Sequence, residues 1–311
     1  MSASAKFGGS SIASASAADY ALLVMLAAIL GSNFMMTTVT VTHLPPMFVV
    51  TVRLAIAASI LFAIAMLTAK PFPRGAVWVP IALSAFFGHT LPFALLAWAQ
   101  QTVDASIASI LMATMPLFTL FLAQTLTDDE KPNRFAVIGF ALALVGIIVL
   151  FGPEKLFSLG DESLRQYAVA GAAMSYGVNA IITKQLVSLP WQTTGASFMG
   201  LALLFALPLL LVDSLSNLSA PVNAWAALAY TGIMPTAFGA ILIVVVVRRA
   251  GASFLSQINF LVPVFGAFFA VLFLGERLPA NALIALVIIL AGVAIARRRT
   301  RQPIPTTNGT L

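Results

Sequence analysis

The chain contains no cysteine, so disulfides and thiolate metal sites are excluded and its redox compartment is unreadable. Charge is scarce as well. Only 8% of the 311 residues are charged, against about 25% in ordinary soluble domains, whose surface must satisfy water throughout. A chain this poor in charge has hydrocarbon as its main solvent. Inspection finds no phosphate-cradling glycine loop, no metal-ligand cluster and no nucleophile triad. ATP-driven pumping is thereby set aside, and no cofactor or metal is expected.

What the chain has instead is apolar residues, 60% of the total, and a mean hydropathy of +1.02. They fall in runs: Tyr20–Thr40, Met47–Ala69, Ala76–Gln100, Ala105–Leu126, Phe135–Phe151, Tyr167–Gln185, Thr193–Val212, Asn223–Val247, Ala252–Leu274 and Pro279–Ala296. Crossing hydrocarbon takes roughly 20 residues of helix. No water is available there to pair exposed backbone, so runs of this length must be helical. The alternating segments of a membrane barrel are absent. The net charge of +6 is not a nucleic-acid signal, because the basic residues sit mainly in loops and the tail. With the N-terminus inside, that side receives Lys6, Lys70, Arg74, Lys131, Arg134, Lys184, Arg248, Arg249, Arg297, Arg298, Arg299 and Arg301. The other side receives only Lys155, Arg165 and Arg277. This positive-inside bias predicts cytoplasmic termini. The Ser/Ala-rich start precedes the first apolar run, whereas a signal-peptidase site follows one, so no cleaved signal is expected.

The chain repeats itself. Asp104-Ala-Ser-Ile-Ala-Ser109 before Pro116 matches Gly251-Ala-Ser-Phe-Leu-Ser256 before Pro263 at an offset of 147. Trp78 matches Trp225 and Tyr20 matches Tyr167 at the same offset, and Asn33 matches Asn179 after a one-residue slip. Five runs per repeat is odd, so the second repeat must enter the membrane upside down. The predicted fold is an all-α membrane protein of ten transmembrane helices, built as two inverted five-helix repeats with both termini cytoplasmic. The expected divisions are a disordered N-terminus (1–18), the first repeat (19–151), a periplasmic connector (152–166), the second repeat (167–297) and a cytoplasmic tail (298–311).

Several segments carry a family resemblance: Gly31-Ser-Asn33, Pro46 to Arg53, Pro116 followed by Glu130-Lys131, and Pro263 followed by Leu274-Gly-Glu-Arg-Leu-Pro279. With these the chain resembles the EamA-type branch of the drug/metabolite transporter superfamily over nearly its whole length. Within that branch it is most similar to the YddG-type exporters of aromatic and other neutral amino acids. The first repeat departs by having Asp128-Asp129-Glu130 where Leu-Gly-Glu is usual. The resemblance implies a multi-pass protein of the bacterial inner membrane that exports small metabolites. Its partners would be an amino-acid-like solute and the lipid bilayer, with no nucleic acid. Monomer and homodimer both stay open.

The candidate site is drawn from polar and bent positions near mid-depth. Every acid lies at a run end or in a loop, which favours facilitated diffusion or coupling through another group over a carboxylate-bound ion. His89 is the one intramembrane side chain that titrates near neutrality, and it reads either as a neutral interhelical hydrogen bonder or as a cavity contact. Asn33, Tyr176, Asn179, Ser256, Gln257 and Asn259 supply hydrogen-bonding groups, with interhelical glue as the bland alternative. Met112, Met115 and Phe260 would add an adaptable apolar lining. Pro92, Pro116, Pro235 and Pro263 interrupt matching runs in both repeats and are the candidate hinges; ordinary membrane-helix kinks are the competing explanation. Arg53 lies about two turns into the second run without an ion partner on its own helix. It reads as a snorkelling or carbonyl-bonded arginine, or as an anion contact.

The expected function is export of small metabolites, most of all neutral and aromatic amino acids, by alternating access. A multidrug exporter of the same fold is the first alternative. An intramembrane lipid-modifying enzyme would need catalytic acids or a His/Ser pair at depth. A structural membrane protein would not need matched helix interruptions.

Overall fold

A computed structural model describes residues 15–126, 134–151, 161–213 and 218–296. The expected extreme N-terminus, most of the 152–166 connector, the Asp128-Asp129-Glu130-Lys131 loop and the basic tail lie outside these. Every element is helical: α1 Ala17–Val41, α2 Pro46–Thr68, α3 Gly75–Ala99, α4 Ala105–Gln124, α5 Arg134–Phe151, α6 Asp161–Thr183, α7 Trp191–Leu211, α8 Val222–Ala250, α9 Ala252–Leu274 and α10 Ala280–Ala296. Among the described residues, 7 helices are long and apolar enough to cross a membrane: α1 to α4 and α7 to α9. α5 and α10 are shorter apolar helices. α6 begins at Asp161, inside the stretch expected to be connector.

Local chemistry sets the helix ends. Ser16 and Asp19 form a reciprocal capping box at the start of α1, each satisfying the other's backbone N–H. Pro45, Pro190 and Pro221 stand immediately before α2, α7 and α8, where a missing N–H costs nothing. Gly251 at φ 89° makes the tight turn from α8 into α9, and Gly275 at φ 69° ends α9 in a left-handed cap.

Side-chain ties define two opposite faces. On one, Arg249 at the end of α8 meets Asp19 at the start of α1 at 2.7 Å. On the other, the Glu276 carboxylate accepts from the Ala105 and Ser106 N–H groups at 2.8 and 2.9 Å. There also Asp213 accepts from the Phe48 N–H, and Arg165 donates to the Trp98 carbonyl. α1 therefore starts on the first face and α6 on the second, which is the inversion that an odd helix number requires.

The packing has the matching pseudo-twofold pattern. α1 lies on α9 as α6 lies on α4; α3 packs on α6 and α7 as α8 packs on α1 and α2; α2 pairs with α7, and α5 with α10. Two glycines 146 residues apart make the equivalent crossings intimate. A Cβ on Gly31 would stand 2.6 Å from the Phe265 Cβ and 2.9 Å from the Gly266 nitrogen. A Cβ on Gly177 would stand 3.0 Å from the Thr119 nitrogen and 3.3 Å from the Phe118 carbonyl carbon. Without a hydrophobic drive between helices in lipid, such close backbone approach is a main source of association.

The interruptions are also paired, but not where the prolines alone put them. α3 contains a π turn over Phe86–Thr90, in which the Leu91 N–H reaches back five residues to the Phe86 carbonyl. α8 contains the equivalent over Gly232–Phe238, with the Gly239 N–H on the Met234 carbonyl. Thr90 and Thr236 each donate their hydroxyl to the carbonyl five residues earlier, Ala85 and Thr231. Pro235 lies inside its π turn, whereas Pro92 opens the regular helix after the other. α4 is broken at Ala113–Thr114, just before Pro116, because Pro116 has no N–H for the preceding turn. α9 is broken instead at Ser256–Gln257, and Pro263 sits within an intact helix. The Pro263 carbonyl is held by the Ser109 hydroxyl of α4 at 3.3 Å. The break in α9 thus falls at its start rather than at Pro263, and there the Ser256 hydroxyl turns back onto the Ser253 carbonyl.

Candidate functional site

A cavity of about 340 Å³ lies between the two repeats. Its wall draws on α1, α2, α3 and α4 of the first repeat and on α6, α7, α8 and α9 of the second, while α5 and α10 stand outside it. Both helix breaks border the cavity: Met112 and Met115 flank the α4 break, and Leu255 and Ile258 flank that in α9.

Of the residues singled out from sequence, Asn33, His89, Met112, Met115, Tyr176 and Asn259 line this space together with Pro116, Pro235 and Pro263. Asn179, Ser256, Gln257, Phe260 and Pro92 are not part of the wall. Asn179 lies one layer back, so close that a Cβ on Gly88 would meet its amide at 2.5 Å. Phe260 packs against the cluster of Leu117, Ala143, Val293 and Ala296. Gln257 stands before the main part of α9, and Ser256 turns toward its own backbone. These positions share a helix with lining residues but not a face, and in a helix that is apolar all round no stripe tells the faces apart.

His89 is packed between aromatic rings. It stacks on Phe198 of α7 with centroids 6.0 Å apart and meets Phe93 edge-on at 6.0 Å. Its Nδ1, the Oδ1 of Asn33 and the Oδ1 of Asn179 are buried atoms without a hydrogen-bond partner among the described residues. Buried polar atoms are rarely left so; those of Asn33 and His89 are at the cavity wall, whereas that of Asn179 lies behind it.

Sequence reasoning left Arg53 undecided; the structure turns it inward. Its side chain does not reach for the membrane surface: Arg53 is 6% exposed and lines the cavity. The Nε donates to the Thr236 hydroxyl of α8 at 2.8 Å, and the guanidinium lies over the Phe93 ring at 3.8 Å from its centroid. Thr236 and Phe93, also in the wall, were not singled out from sequence. The one available signal was the charge itself, since an intramembrane arginine is a functional candidate by default. Gln100 was missed as well. It is 2% exposed and donates to the Phe34 carbonyl and the Thr38 hydroxyl, tying the end of α3 to α1.

Three acids are committed at helix ends. Asp19 pairs with Arg249, Asp213 accepts from Phe48, and Glu276 holds the start of α4. No cluster of three or more His, Asp or Glu groups suited to a metal occurs among the described residues.

Two helical repeats packed around a central cavity define a multi-pass membrane protein with the architecture of a transporter. The chain belongs to the EamA-like transporter family, whose pattern matches it twice, over residues 19–152 and 166–298. It is 30% identical over 234 residues to a probable terminal-alkyne amino-acid exporter of Streptantibioticus cattleyicolor, covering 73% of this chain and 76% of that protein. It is 25% identical to a probable amino-acid metabolite efflux pump of Escherichia coli, over 89% of this chain and 94% of the relative. A crystal structure with 19% sequence identity shares the fold, with a TM-score of 0.63 over 91% of this chain and 98% of that one.

Proposed function

We propose that the chain is a secondary exporter of small metabolites, foremost neutral and aromatic amino acids, working by alternating access. The observation that carries this reading is the cavity, placed where the two repeats meet and bordered by the broken helices of both. Its volume lies at the lower end of small-molecule pockets, which suits a metabolite better than a bulky drug. Its wall is mostly hydrocarbon and thioether, with a few polar groups at separate points: Asn33, Arg53, His89, Tyr176, Thr236 and Asn259. An amphipathic solute fits that pattern. The amino-acid exporters among the relatives point to the same class.

In this reading α5, α6 and α10 complete ten spans in the bacterial inner membrane, with both termini cytoplasmic by the positive-inside bias. The Arg249–Asp19 face is then cytoplasmic and the Glu276 face periplasmic. α4 and α9 bend at their breaks, with Pro116, Pro92 and Pro235 loosening the backbone nearby, while Pro263 lies within a continuous helix beyond the α9 break. The solute moves down its own gradient, or with a proton where His89 changes charge.

The test is counterflow in proteoliposomes against labelled alanine, leucine, phenylalanine, nucleosides and cationic drugs, with and without a pH gradient. Amino acids should exchange and the other solutes should not. His89→Ala should lower amino-acid flux with the fold retained; unchanged kinetics would remove His89 from the site. Flux of nucleosides or cationic drugs in place of amino acids would overturn the substrate reading.

A further inference from the structure

We propose that Arg53 is the carboxylate receptor of the cavity, so that the site takes small organic acids and zwitterions and rejects amines without a carboxyl group. The proposal deepens the amino-acid reading and rests on it for the substrate class.

Arg53 is held on two sides and left open on a third. Its Nε edge is fixed by Thr236, at 2.8 Å. The Thr236 hydroxyl has one proton, and that proton is directed at 2.7 Å to the Thr231 carbonyl in the π turn of α8. A lone pair is thereby left facing Arg53. One face of the guanidinium is covered by Phe93 at 3.8 Å. The terminal amino groups have no partner among the described residues, and the side chain lies in the cavity wall. A guanidinium presents its donors as a planar fork that matches the two oxygens of a carboxylate.

The electrostatics point the same way. Asp19, Asp213 and Glu276 are each engaged at helix ends, away from Arg53. A buried cation without its counter-ion is costly, and a carboxylate entering the cavity supplies the missing charge. An ordinary structural arginine would be surrounded by carbonyls or paired. Arg53 instead has the Phe93 ring, the one bonded hydroxyl of Thr236, and Tyr176 and His89 as polar neighbours across the cavity. The second polar group of an amino acid also has a receiver, since the partnerless Oδ1 of Asn33 accepts an ammonium proton.

The experiment compares matched pairs that differ only in the carboxyl group: alanine with ethylamine, leucine with 3-methylbutylamine, phenylalanine with 2-phenylethylamine. Each is measured as a competitor of counterflow and, separately, as a thermal stabiliser of the solubilised protein. The carboxylic partner should win in both assays by at least about tenfold in effective concentration. Arg53→Gln should raise KM about tenfold to a hundredfold with a smaller change in maximal rate, and Arg53→Lys should recover part of the loss. If Arg53→Gln does not fold, Arg53→Lys decides: it keeps the charge but loses the planar fork, and an acid-over-amine preference unchanged from wild type overturns the assignment. Equal potency of acids and amines, or an unchanged KM in a folded Arg53→Gln, overturns the assignment while leaving amino-acid transport intact. Stabilisation by 3-phenylpropionate without any amino-acid flux retains the carboxylate receptor and sinks the amino-acid reading. Stabilisation by neither acids nor amino acids overturns the receptor.

Discussion

α2 and α7 occupy equivalent places in the two repeats and pack against each other, yet they bring opposite chemistry to the same cavity. Each begins after a proline, Pro45 or Pro190. Counted from that proline, Arg53 in α2 corresponds to Phe198 in α7. Arg53 lines the cavity, and Phe198 stacks on His89 while its neighbour Met199 lines the wall. A twofold scaffold would offer a solute two equivalent poses. A cation on one side and hydrocarbon on the other break that equivalence.

The widest expected gap between the repeats is in packing. Gly31→Ala should destabilise the protein by about 3 kcal/mol, because the new methyl group meets the α9 backbone at less than contact distance. Gly177→Ala, with its nearest neighbour at 3.0 Å, should cost only about 1 kcal/mol. Thermal midpoints in detergent would show this, and equal losses would mean that the two crossings are mechanically alike.

Next comes the charge difference. Arg53→Met should raise KM for a neutral amino acid about tenfold to a hundredfold, and Phe198→Met by less than about threefold. Similar losses would dissolve the distinction between α2 and α7.

The two faces should differ by less. Glu276→Gln removes a charge from two backbone N–H bonds at the start of α4 and should cost about 1.5–3 kcal/mol. Asp19→Asn should cost less, since Arg249 is half exposed and its pairing is screened by water. Chemical denaturation of the two variants in parallel checks the order. The smallest contrast lies between Asn33, in the wall, and Asn179, behind Gly88. Asn33→Ala should raise KM about fivefold with little change in stability, and Asn179→Ala should do the reverse by about 1 kcal/mol. Kinetics and melting measured on the same preparations separate the two effects.

The helical class and the two repeats were legible in the sequence, because run length and the Ser/Pro signatures at a near-constant offset depend only on chain order. The cavity was legible in part. Asn33, His89 and Tyr176 stood out as rare polar groups in apolar runs, and they line it. Arg53 stood out too, but its direction depends on a hydroxyl 183 residues away that no helical wheel displays. The π turns were hidden for a similar reason. A turn of this kind needs one extra residue, and Phe86 to Thr90 carry no composition that announces it. Pro263 misled because proline weakens a helix only where packing lets it open. There α9 is packed closely on α4, with a Cβ built on Gly266 only 2.4 Å from the Ser109 Cβ, and the helix runs unbroken through the proline.

The paired π turns record how the chain came to be. Each is a helix with a single residue inserted, and the two begin 146 residues apart, the same spacing that separates Asn33 from Asn179. Two independent insertions would have had to strike the same turn of two different helices. The simpler history places one insertion in an ancestral unit of half this length, before duplication and fusion turned two facing copies into one chain.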